Sequence, residues 1–436
     1  MPDLDLYLSR GFNRLDRDFN CELLIVGAGP AGMAAACAAA KSGISIMILD
    51  DNPSPGGQIW RDGPAVSLPE EARHYRRQLE QLPNVSLLCG AKLIATVGDK
   101  KWLYEQETAS GIIRYERLIL CSGARELLLP FPGWTLAGVS GAGALQAFIK
   151  SGLPVKDQRI ALAGSGPLLL AAAQAVKKAG GQVVLLAEQA PASRLARLFL
   201  SLWRWPDKLQ QSFSLTDPHY RFNSHVLAAE GEGKVERVIV RQGRRRIIVA
   251  CDRLACGFGL LSNIEPALVL GCAIDGQAIR VDEWQQTSRA DIYAAGECAG
   301  VGGSELALVT GSIAGYAASG NREAAARLWR ERRRWRRFAN AMERAFRLDK
   351  RLKQLPRPDT LVCRCEDVAL QQISGAADWR QAKIHSRCGM GACQGKVCGA
   401  ATRFLLDWPL ATPRVPLAPA RLSTLIKAWR AEGKET

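Results

Sequence analysis

Apolar residues fall into short runs that alternate with small-residue turns and helix-like segments. Residues 22–26 form a run rich in Leu, Ile and Val, and an Ala-rich stretch, 33–43, follows a glycine-rich turn. A second apolar run ends at residue 50, and the same order of run, turn and Ala-rich stretch returns at 159–188. Short apolar runs bounded by turns are typical of buried parallel strands, and strands that alternate with helices predict βαβ units. The pattern therefore predicts an α/β protein with two such units.

The first turn has the glycine spacing of a dinucleotide site. It reads Gly27-Ala28-Gly29-Pro30-Ala31-Gly32. Between a strand and a helix, the first glycine makes the turn, the second lets the backbone approach a pyrophosphate, and the third lets the helix pack on the strand. The diphosphate is then held by free N–H groups at the helix N-terminus. The next strand ends at Asp50, an acid that can accept a hydrogen bond from a ribose hydroxyl. Asp51 is the alternative, and we prefer Asp50 because it directly ends the apolar run.

The second unit has a similar turn with one departure. Its glycines are Gly164 and Gly166, and the following strand ends at Glu188. An acid at that position would oppose a 2′-phosphate, which favours NAD. Leu169, however, takes the place of the third glycine, and its bulk changes how the helix packs on the strand. Two alternatives stay open: a site for NAD or another adenine nucleotide, and a retained fold whose site is empty or altered.

Three further segments resemble the flavoprotein disulfide reductase-like superfamily of FAD enzymes. They are residues 49–61, 116–126 and 290–297. The resemblance implies that FAD binds to the first fold with the help of Gly57, Gln58, Ser122, Gly123, Gly296 and Glu297. Of these, the Gly-Glu pair would hydrogen-bond the flavin ribityl chain. The disulfide reductases carry a redox-active cysteine pair near the flavin, and no such pair directly follows Gly57. We therefore expect no thiol-reductase chemistry.

Five of the thirteen cysteines are concentrated near the C-terminal end. They are Cys363, Cys365, Cys388, Cys393 and Cys398. Four thiolates can hold zinc or an iron–sulfur cluster. Structural zinc sites usually have two to four residues between paired cysteines, and a C-x-C pair fits that spacing poorly. The pattern therefore favours a [2Fe–2S] cluster, with zinc and the absence of any metal as the alternatives.

The cysteine motif also carries a family resemblance. C-x-C-E followed by R-x-G-M-G-x-C-Q-G-x-x-C resembles the bacterioferritin-associated-ferredoxin-like [2Fe–2S] domain. Some glycerol-3-phosphate dehydrogenases and the flavoprotein α subunits of opine and hydroxyproline dehydrogenases share this pattern. By that resemblance the metal ligands are Cys363, Cys365, Cys393 and Cys398, and Cys388 is a spare thiol at a position that varies in the family.

From about residue 20 to about residue 410, the motifs together resemble the α subunit of a heteromeric D-hydroxyproline, opine or proline dehydrogenase. The resemblance implies that a flavin-containing β subunit oxidises the amino acid or opine, most of all D-hydroxyproline. This chain would carry FAD and the cluster and pass electrons to an external acceptor, and a small γ subunit could complete the complex. No histidine stands in a motif, so we assign no catalytic acid or base. The alternative function is a free-standing NADH-dependent FAD/iron–sulfur oxidoreductase.

Composition and charge restrict the partners. Hydrophobic residues make up 47% of the 436 residues, which excludes a disordered chain. The net charge is +16, and residues 322–353 hold thirteen Lys or Arg and four acids, with apolar residues at helical spacing. This predicts an amphipathic helix that packs on the FAD fold, and docking of an acidic partner subunit is the alternative. We expect no nucleic-acid partner, no transmembrane segment and a cytoplasmic location, with peripheral attachment to the inner membrane left open.

The motifs divide the sequence into five expected parts. They are an N-terminal extension without an assigned role (1–20), an FAD-binding domain (21–145 and 257–320), an inserted NAD(P)-type nucleotide-binding domain (146–256), a basic helical linker (321–355), and a [2Fe–2S]-binding domain with a C-terminal tail (356–436). The expected fold class is thus α/β, with two Rossmann-like domains and a small C-terminal cluster domain.

Overall fold

Two sheets built mainly from parallel strands dominate the computed structural model, in which residues 17–64, 66–214 and 217–431 are described. Most of the expected N-terminal extension, residues 1–16, lies outside the described residues. The strands are β1 (Phe19–Val26), β2 (Ile46–Leu49), β3 (Val85–Leu88), β4 (Lys92–Thr96), β5 (Lys101–Glu105), β6 (Ser110–Leu120), β7 (Ala124–Glu126), β8 (Val139–Gly141), β9 (Arg159–Gly164), β10 (Gln182–Glu188), β11 (Tyr220–Arg221), β12 (Ser224–Glu230), β13 (Arg237–Gln242), β14 (Arg245–Ala250), β15 (Arg253–Gly257), β16 (Leu260–Ser262), β17 (Ile274–Asp275), β18 (Ala278–Ile279), β19 (Ile292–Ala294), β20 (Leu361–Cys363) and β21 (Val368–Ala369).

The helices follow the same alternating order. They are α1 (Pro30–Ala39), α2 (Glu70–Gln81), α3 (Ala142–Lys150), α4 (Pro167–Lys178), α5 (Ala192–Ser201), α6 (Pro206–Ser214), α7 (Glu265–Val269), α8 (Gly303–Ala318), α9 (Arg322–Arg327), α10 (Trp329–Phe346), α11 (Trp379–Ser386), α12 (Cys398–Leu406) and α13 (Leu422–Ala431). Short 3-10 turns occupy 40–42, 202–204, 296–299, 350–354 and 370–372. No helix among the described residues is both long enough and apolar enough to cross a membrane.

The first sheet has the order β3–β2–β1–β6–β5–β4, and β19 pairs with the end of β6. Strands β1, β2, β3, β6 and β19 run parallel, whereas β4 and β5 form an antiparallel extension. Strand β2 is buried along its whole length, because helices cover both faces of a parallel sheet. The carboxyl ends of β1, β2, β6 and β19 meet at one edge, where the first glycine turn lies.

Helices α1 and α8 pack side by side at backbone contact on this sheet. A Cβ atom on Gly311 would stand 2.1 Å from the Ala31 carbonyl oxygen, and one on Gly315 would stand 2.2 Å from that of Ala35. Larger side chains at these two glycines would push the helices apart. This close packing fixes the start of α1 relative to the segment that precedes α8.

The second sheet is parallel throughout, with the order β11–β10–β9–β15–β8. A three-stranded antiparallel sheet, β12–β13–β14, packs against it through an apolar core. Leu169, which replaces the third glycine of the second turn, is fully buried under the sheet. The α/β class with Rossmann-type sheets, predicted from the sequence, is confirmed.

The basic segment forms helices α9 and α10. Trp335, Ala339 and Ala345 of α10 are buried, and the first two of these pack with residues of α8 in one apolar cluster. Several arginines, Arg330, Arg333, Arg334 and Arg337 among them, lie on the exposed face. The helix is therefore amphipathic, with its apolar stripe turned towards the FAD fold.

The C-terminal part has two separate places of attachment. The cysteine-rich segment docks on the second sheet, where the Trp134 indole N–H donates to the Leu361 carbonyl oxygen at 2.7 Å. Beyond it the chain returns to the first sheet. There the backbone N–H of Arg421 donates to the Glu105 carboxylate at 2.9 Å, and the hydroxyl of the buried Thr424 donates to the same carboxylate. The final helix α13 thus packs on β5 and β6 rather than on the cysteine segment.

Candidate functional site

At two positions of the first glycine turn, close contacts with the protein backbone leave room only for glycine. Gly27 has φ +106°, and a Cβ there would stand 2.2 Å from the Cys121 carbonyl oxygen. A Cβ on Gly32 would stand 1.8 Å from the Gly27 carbonyl oxygen. Gly29 differs, because its φ is −72° and the nearest atom to an added Cβ is the Gly57 Cα at 3.9 Å. The open space in front of Gly29 is what a pyrophosphate needs.

Asp50 holds this turn in place. One carboxylate oxygen accepts from the Ala28 backbone N–H, and the other accepts from the backbone and side-chain amides of Asn52, both at 2.7 Å. Burial raises the pKa of Asp50, and these hydrogen bonds oppose the rise. Asp51 is exposed and accepts one hydrogen bond from Asn52 at 3.1 Å. A carboxylate has about four acceptor positions, so the Asp50 oxygen that Ala28 engages can still accept from a ribose, and the preference for Asp50 over Asp51 stays a prediction.

The segment that contains Gly57 and Gln58 lies against the glycine turn. A Cβ on Gly57, which has φ +59°, would stand 3.1 Å from the Gly29 Cα. The side-chain oxygen of Gln58 accepts from the Arg61 guanidinium at 2.9 Å. The structure thus brings this segment to the same place as the turn, as the sequence indicates.

Ser122 and Gly123 are joined to a residue that has no sequence signal of its own. The Ser122 hydroxyl donates to the Asn263 carbonyl oxygen at 2.6 Å, and the Asn263 amide donates to the Ser122 carbonyl oxygen at 2.8 Å. Arg125 donates to the Asn263 side-chain oxygen at 2.7 Å. Gly123 has φ +66°. Ser122 follows β6 and Asn263 follows β16. The hydrogen bonds between these two residues hold the ends of the two strands together at the place where the flavin is expected.

Gly296 and Glu297 stand at the carboxyl end of β19, above the start of α1. Gly296 has φ +73°, its N–H donates to the Thr310 hydroxyl at 3.0 Å, and a Cβ on it would stand 2.7 Å from the Ala31 Cβ. Among the described residues, the Glu297 carboxylate has no hydrogen-bond or ion-pair partner. Burial raises its pKa. A carboxylate that is desolvated without a partner at this edge is available to hydroxyl groups of a ligand.

The second turn is engaged with its own acid. The Gly166 backbone N–H donates to Glu188 at 2.8 Å, and the Ala190 N–H and the Ser165 hydroxyl donate to the same carboxylate, also at 2.8 Å. Glu188 is fully buried, and this burial raises its pKa. An N–H group that would face a pyrophosphate is therefore already used, and Glu188 is not accessible to a ribose. Glu188 as the acid that opposes a 2′-phosphate stays a prediction, beside the alternative of a retained fold whose site is empty or altered.

Residues 346–349, here called the closing segment, cover the mouth of the second turn. The Ser165 hydroxyl lies 3.0 Å from the carbonyl oxygen of Phe346, and its single hydrogen is directed either to this oxygen or to Glu188. The Gln189 side-chain oxygen accepts from the Asp349 backbone N–H at 3.1 Å. Residues at the place where a nucleotide would lie on a Rossmann fold thus form hydrogen bonds with the closing segment, at the end of the basic helix.

The five C-terminal cysteines come together in two groups. Cys363, Cys388 and Cys398 are buried, and their sulfur atoms all lie within 4.8 Å of one another. Cys365 is exposed, and Cys393, half-buried, lies beside it. Burial acts to raise the pKa of Cys393, but backbone N–H groups of the loop that follows and the Cys365 thiol outweigh it, so the pKa is lowered. Thiols arranged in this way fit a metal cluster, and Cys388, the expected spare thiol, is one of the buried three.

The glycines of the cysteine motif have a packing role that the spacing does not reveal. A Cβ on Gly389 or Gly395 would stand 2.4 or 2.9 Å from the Trp379 indole ring, and both glycines have positive φ angles. A Cβ on Gly391 would stand 2.3 Å from the Cys365 Cβ. The glycines therefore let the loop lie flat on Trp379 and close to the C-x-C pair.

One cleft of about 2810 Å³ lies beside several of these features. Its lining includes residues from the flavin end, from the second turn and closing segment, and from the cysteine loop: Glu297, Gly300, Ser165, Phe346, Met390 and Gln394. None of the four histidines of the chain lines it. The first glycine turn and the five C-terminal cysteines do not line the cleft. It extends from Glu297, at the carboxyl end of β19, to the loop that carries the cysteines.

Comparison with known proteins identifies a family of oxidoreductases. The family described as "Pyridine nucleotide-disulphide oxidoreductase" matches residues 21–328. Hydrogen cyanide synthase subunit HcnB of Pseudomonas aeruginosa is 32% identical, over 93% of this chain and 98% of that protein. The A subunit of the Rhizobium meliloti opine oxidase is 29% identical, over 93% and 87%. Among solved structures, L-proline dehydrogenase from P. horikoshii has a TM-score of 0.66 at 17% identity, over 96% of this chain and 82% of that chain, which is a likeness of fold.

Proposed function

The chain belongs to the pyridine nucleotide-disulphide oxidoreductase family and is an FAD-dependent oxidoreductase; from that premise we propose that it is the electron-transfer subunit of a multi-subunit dehydrogenase. It carries FAD and a [2Fe–2S] cluster, and it passes electrons from a flavin-containing β subunit to an external acceptor. The relatives, HcnB and the opine oxidase protein, are themselves subunits of complexes, which supports this role.

The substrate is an amino acid or opine that the partner subunit oxidises, and D-hydroxyproline is the first to test. Support comes from the names of the relatives, one of which belongs to an opine oxidase, and from the likeness of fold to a proline dehydrogenase. It also comes from the absence of a histidine in the cleft, since proton abstraction from a substrate is most often performed by histidine. A chain that relays electrons needs no such base.

The residues of the first turn fit FAD. Gly29 leaves room for the pyrophosphate at the N-terminus of α1, and Asp50, which follows β2, accepts from the ribose, with Asp51 as the alternative. Glu297 accepts from the ribityl chain, with Gly296 allowing the close approach. FAD takes up two electrons and can release them singly, and a [2Fe–2S] cluster carries one electron at a time.

The shared cleft is the observation that carries the proposal. Glu297 from the flavin end and Met390 from the cysteine loop line the same space, so the two cofactors would lie within one body. The proposed division of the chain keeps the five expected parts, and the C-terminal tail returns to the first sheet at Glu105. The second dinucleotide fold, whose turn is bonded to Glu188 and to the closing segment, supports the cysteine segment and does not take NAD in this form.

The first experiment is to measure flavin, iron and acid-labile sulfide per chain on anaerobically purified protein. One flavin, two irons and two sulfides are expected, since a [2Fe–2S] cluster is held by four cysteine thiolates. Flavin together with zinc, or flavin without metal, would overturn the relay. Co-purification with a second flavoprotein, followed by reduction of both flavins by D-hydroxyproline, would test the substrate.

A further inference from the structure

Helix α5 and the turn that follows it present apolar side chains to solvent. One side of α5 carries residues at intervals that form a stripe along the helix, and all of them are exposed: Ala192, Ala196, Phe199 and Leu200. Leu200 is 73% exposed, and Trp203 in the turn is 67% exposed. No residue of α5 is fully buried. Single exposed apolar residues are common, but a group of large ones on one surface marks a place of interaction.

Four large side chains make up this surface, here called the outer apolar patch: Phe199, Leu200, Trp203 and Phe213. Phe213 of α6 packs edge-on against Phe199, with ring centroids 5.6 Å apart, so the two helices contribute to one patch. None of the four side chains lines the cleft beside Glu297. The outer apolar patch is therefore separate from the candidate functional site.

Cations border the outer apolar patch. Residues 192–214 hold four Lys or Arg and one acid. Arg197 and Arg204 are exposed, and neither forms an ion pair within the described part of the chain. The Arg204 guanidinium lies 5.4 Å from the centroid of the Trp203 ring, as in a cation–π contact. Helix α5 also packs against the basic helix α10. The exposed face of α10 adds Arg330, Arg333, Arg334 and Arg337.

We propose that the outer apolar patch docks this chain on an anionic phospholipid surface. Leu, Phe and Trp on one side of a surface helix, with arginines beside them, are typical of helices that lie in the membrane interface. The apolar side chains enter the boundary between headgroups and acyl chains, Trp203 lies at the level of the headgroups, and Arg197 and Arg204 bind their phosphates. The inference concerns this surface alone and does not depend on the proposed function.

Charge favours a lipid surface over the two other kinds of partner. A second copy of the chain would bring two sets of unpaired arginines together, and their like charges would repel. An acidic protein would have to match the position of each arginine with a carboxylate. Anionic headgroups move in the plane of the bilayer and can gather beneath the arginines wherever these lie.

The first test is cosedimentation of the full chain with vesicles of phosphatidylcholine, either alone or with about 30% phosphatidylglycerol. We expect binding to the anionic vesicles to be at least about tenfold tighter, and to weaken as salt is added. The double variant Leu200→Ser, Trp203→Ser should bind the anionic vesicles at least about tenfold more weakly than wild type, because it loses the largest exposed apolar side chains of the patch.

Ile248→Ser is the matched control. Ile248 lies on β14, outside the outer apolar patch, and is 65% exposed, close to the values for the two substituted residues. This variant should bind vesicles as wild type does. Bound FAD and the melting temperature should stay unchanged in all variants, because the altered side chains are largely exposed.

Quenching by lipids with brominated acyl chains tests whether the patch enters the bilayer. Anionic vesicles that contain such lipids should quench part of the wild-type tryptophan emission. Trp203→Phe keeps an aromatic ring at this position, so it should still bind these vesicles but lose most of the quenching.

Three results would overturn the proposal. Wild-type protein could fail to bind the anionic vesicles, the double variant could bind them as tightly as wild type, or quenching could persist in Trp203→Phe. If wild-type protein does not bind vesicles and the double variant no longer co-purifies with a second flavoprotein, the outer apolar patch is a protein interface and the lipid assignment is wrong.

Discussion

The Glu188 carboxylate accepts a hydrogen bond from the Gly166 backbone N–H at 2.8 Å, and so the second dinucleotide turn is bonded within the protein. Glu188 is fully buried, and the neighbouring Ser165 also lies 3.0 Å from a carbonyl oxygen of the closing segment. An N–H group and a hydroxyl that could face a nucleotide are thus satisfied without one. A dinucleotide would have to displace part of the chain to bind there.

This arrangement predicts that NADH does not reduce the bound FAD. Anaerobic addition of NADH in excess should leave the flavin absorbance unchanged for many minutes, because binding would have to break the Glu188–Gly166 bond and displace the closing segment. Dithionite, which needs no site, serves as the positive control. Bleaching of the flavin in proportion to added NADH would contradict the prediction and support the free-standing reductase.

Alanine substitutions at two glycines of the first turn should have different effects on FAD binding and on stability. In Gly29→Ala the new Cβ has room and φ is −72°, so the apoprotein should fold normally, while FAD binding weakens by at least about tenfold, or about 1.4 kcal/mol. In Gly32→Ala the Cβ would stand 1.8 Å from the Gly27 carbonyl oxygen, so the fold itself should lose about 1–3 kcal/mol or more.

Isothermal titration with FAD and urea unfolding of the apoproteins separate these two effects. Gly29→Ala should have a wild-type unfolding midpoint and a raised dissociation constant. Equal losses of apoprotein stability in both variants would show that Gly29 is structural, and would remove its assignment to the pyrophosphate.

The raised pKa of Glu297 predicts a pH-dependent stability difference. In the unfolded chain the carboxyl ionises near the ordinary value of 4.5, whereas burial raises its pKa in the folded state. The stabilising effect of this shift is fully present below pH 4.5 and is lost as the pH rises through the folded-state pKa. Glu297→Gln apoprotein should therefore be more stable than wild type at neutral pH, and the difference should disappear below about pH 4.5.

Thermal melts of the FAD-free proteins across this pH range would measure the difference. The same Glu297→Gln variant should bind FAD more weakly, because an amide is a weaker acceptor than a carboxylate for the ribityl hydroxyls. A stability difference that is independent of pH would contradict the inference that the Glu297 carboxylate is desolvated in the folded protein.

The packing of the cysteine loop on Trp379 predicts that its glycines are needed for metal loading. Gly389→Ala would place a Cβ 2.4 Å from the indole at φ +83°, and the left-handed backbone alone costs about 1–2 kcal/mol. The variant should lose most of its iron and keep its FAD. Gly375→Ala is the matched control in the same segment, since an added Cβ there has no atom within 4 Å. Full iron content in Gly389→Ala would refute the packing role.

The α/β class and the first glycine turn could be read from the sequence because both are local. A strand, a turn and a helix follow one another within about twenty residues there, and the spacing of Gly27 and Gly32 is set by contacts inside that unit. The hydrogen bonds through which Asp50 holds this turn could not be predicted, since they depend on where the Ala28 and Asn52 amides point.

The other features that could not be predicted from the sequence depend on contacts between residues that are far apart in the chain. The closing segment meets Ser165 from about 180 positions further along the chain, and no local pattern announces that contact. The position of Cys388 is set by the backbone angles of Arg387 and Gly389, and these bring a thiol outside the expected ligand set into the cluster. The hydrogen bond between the C-terminal tail and Glu105 likewise depends on the tertiary structure.

Cys398 should separate flavin reduction from electron delivery. It belongs to the expected ligand set and also to the buried group with Cys363 and Cys388, so its removal leaves three of the four expected ligands. In Cys398→Ser, iron and sulfide should be lost while FAD stays bound, because the FAD turn lies on the first sheet and shares no contact with this thiol. In the complex with the partner subunit, substrate should still reduce flavin, but reduction of the external acceptor should fall by about a hundredfold or more.

Cys272→Ser makes the same chemical change at a buried thiol outside the cleft, where a hydroxyl can keep the contact with Thr287, and should leave iron content and turnover unchanged. Normal turnover in iron-free Cys398→Ser protein would show that electrons leave from the flavin directly and that the cluster is structural.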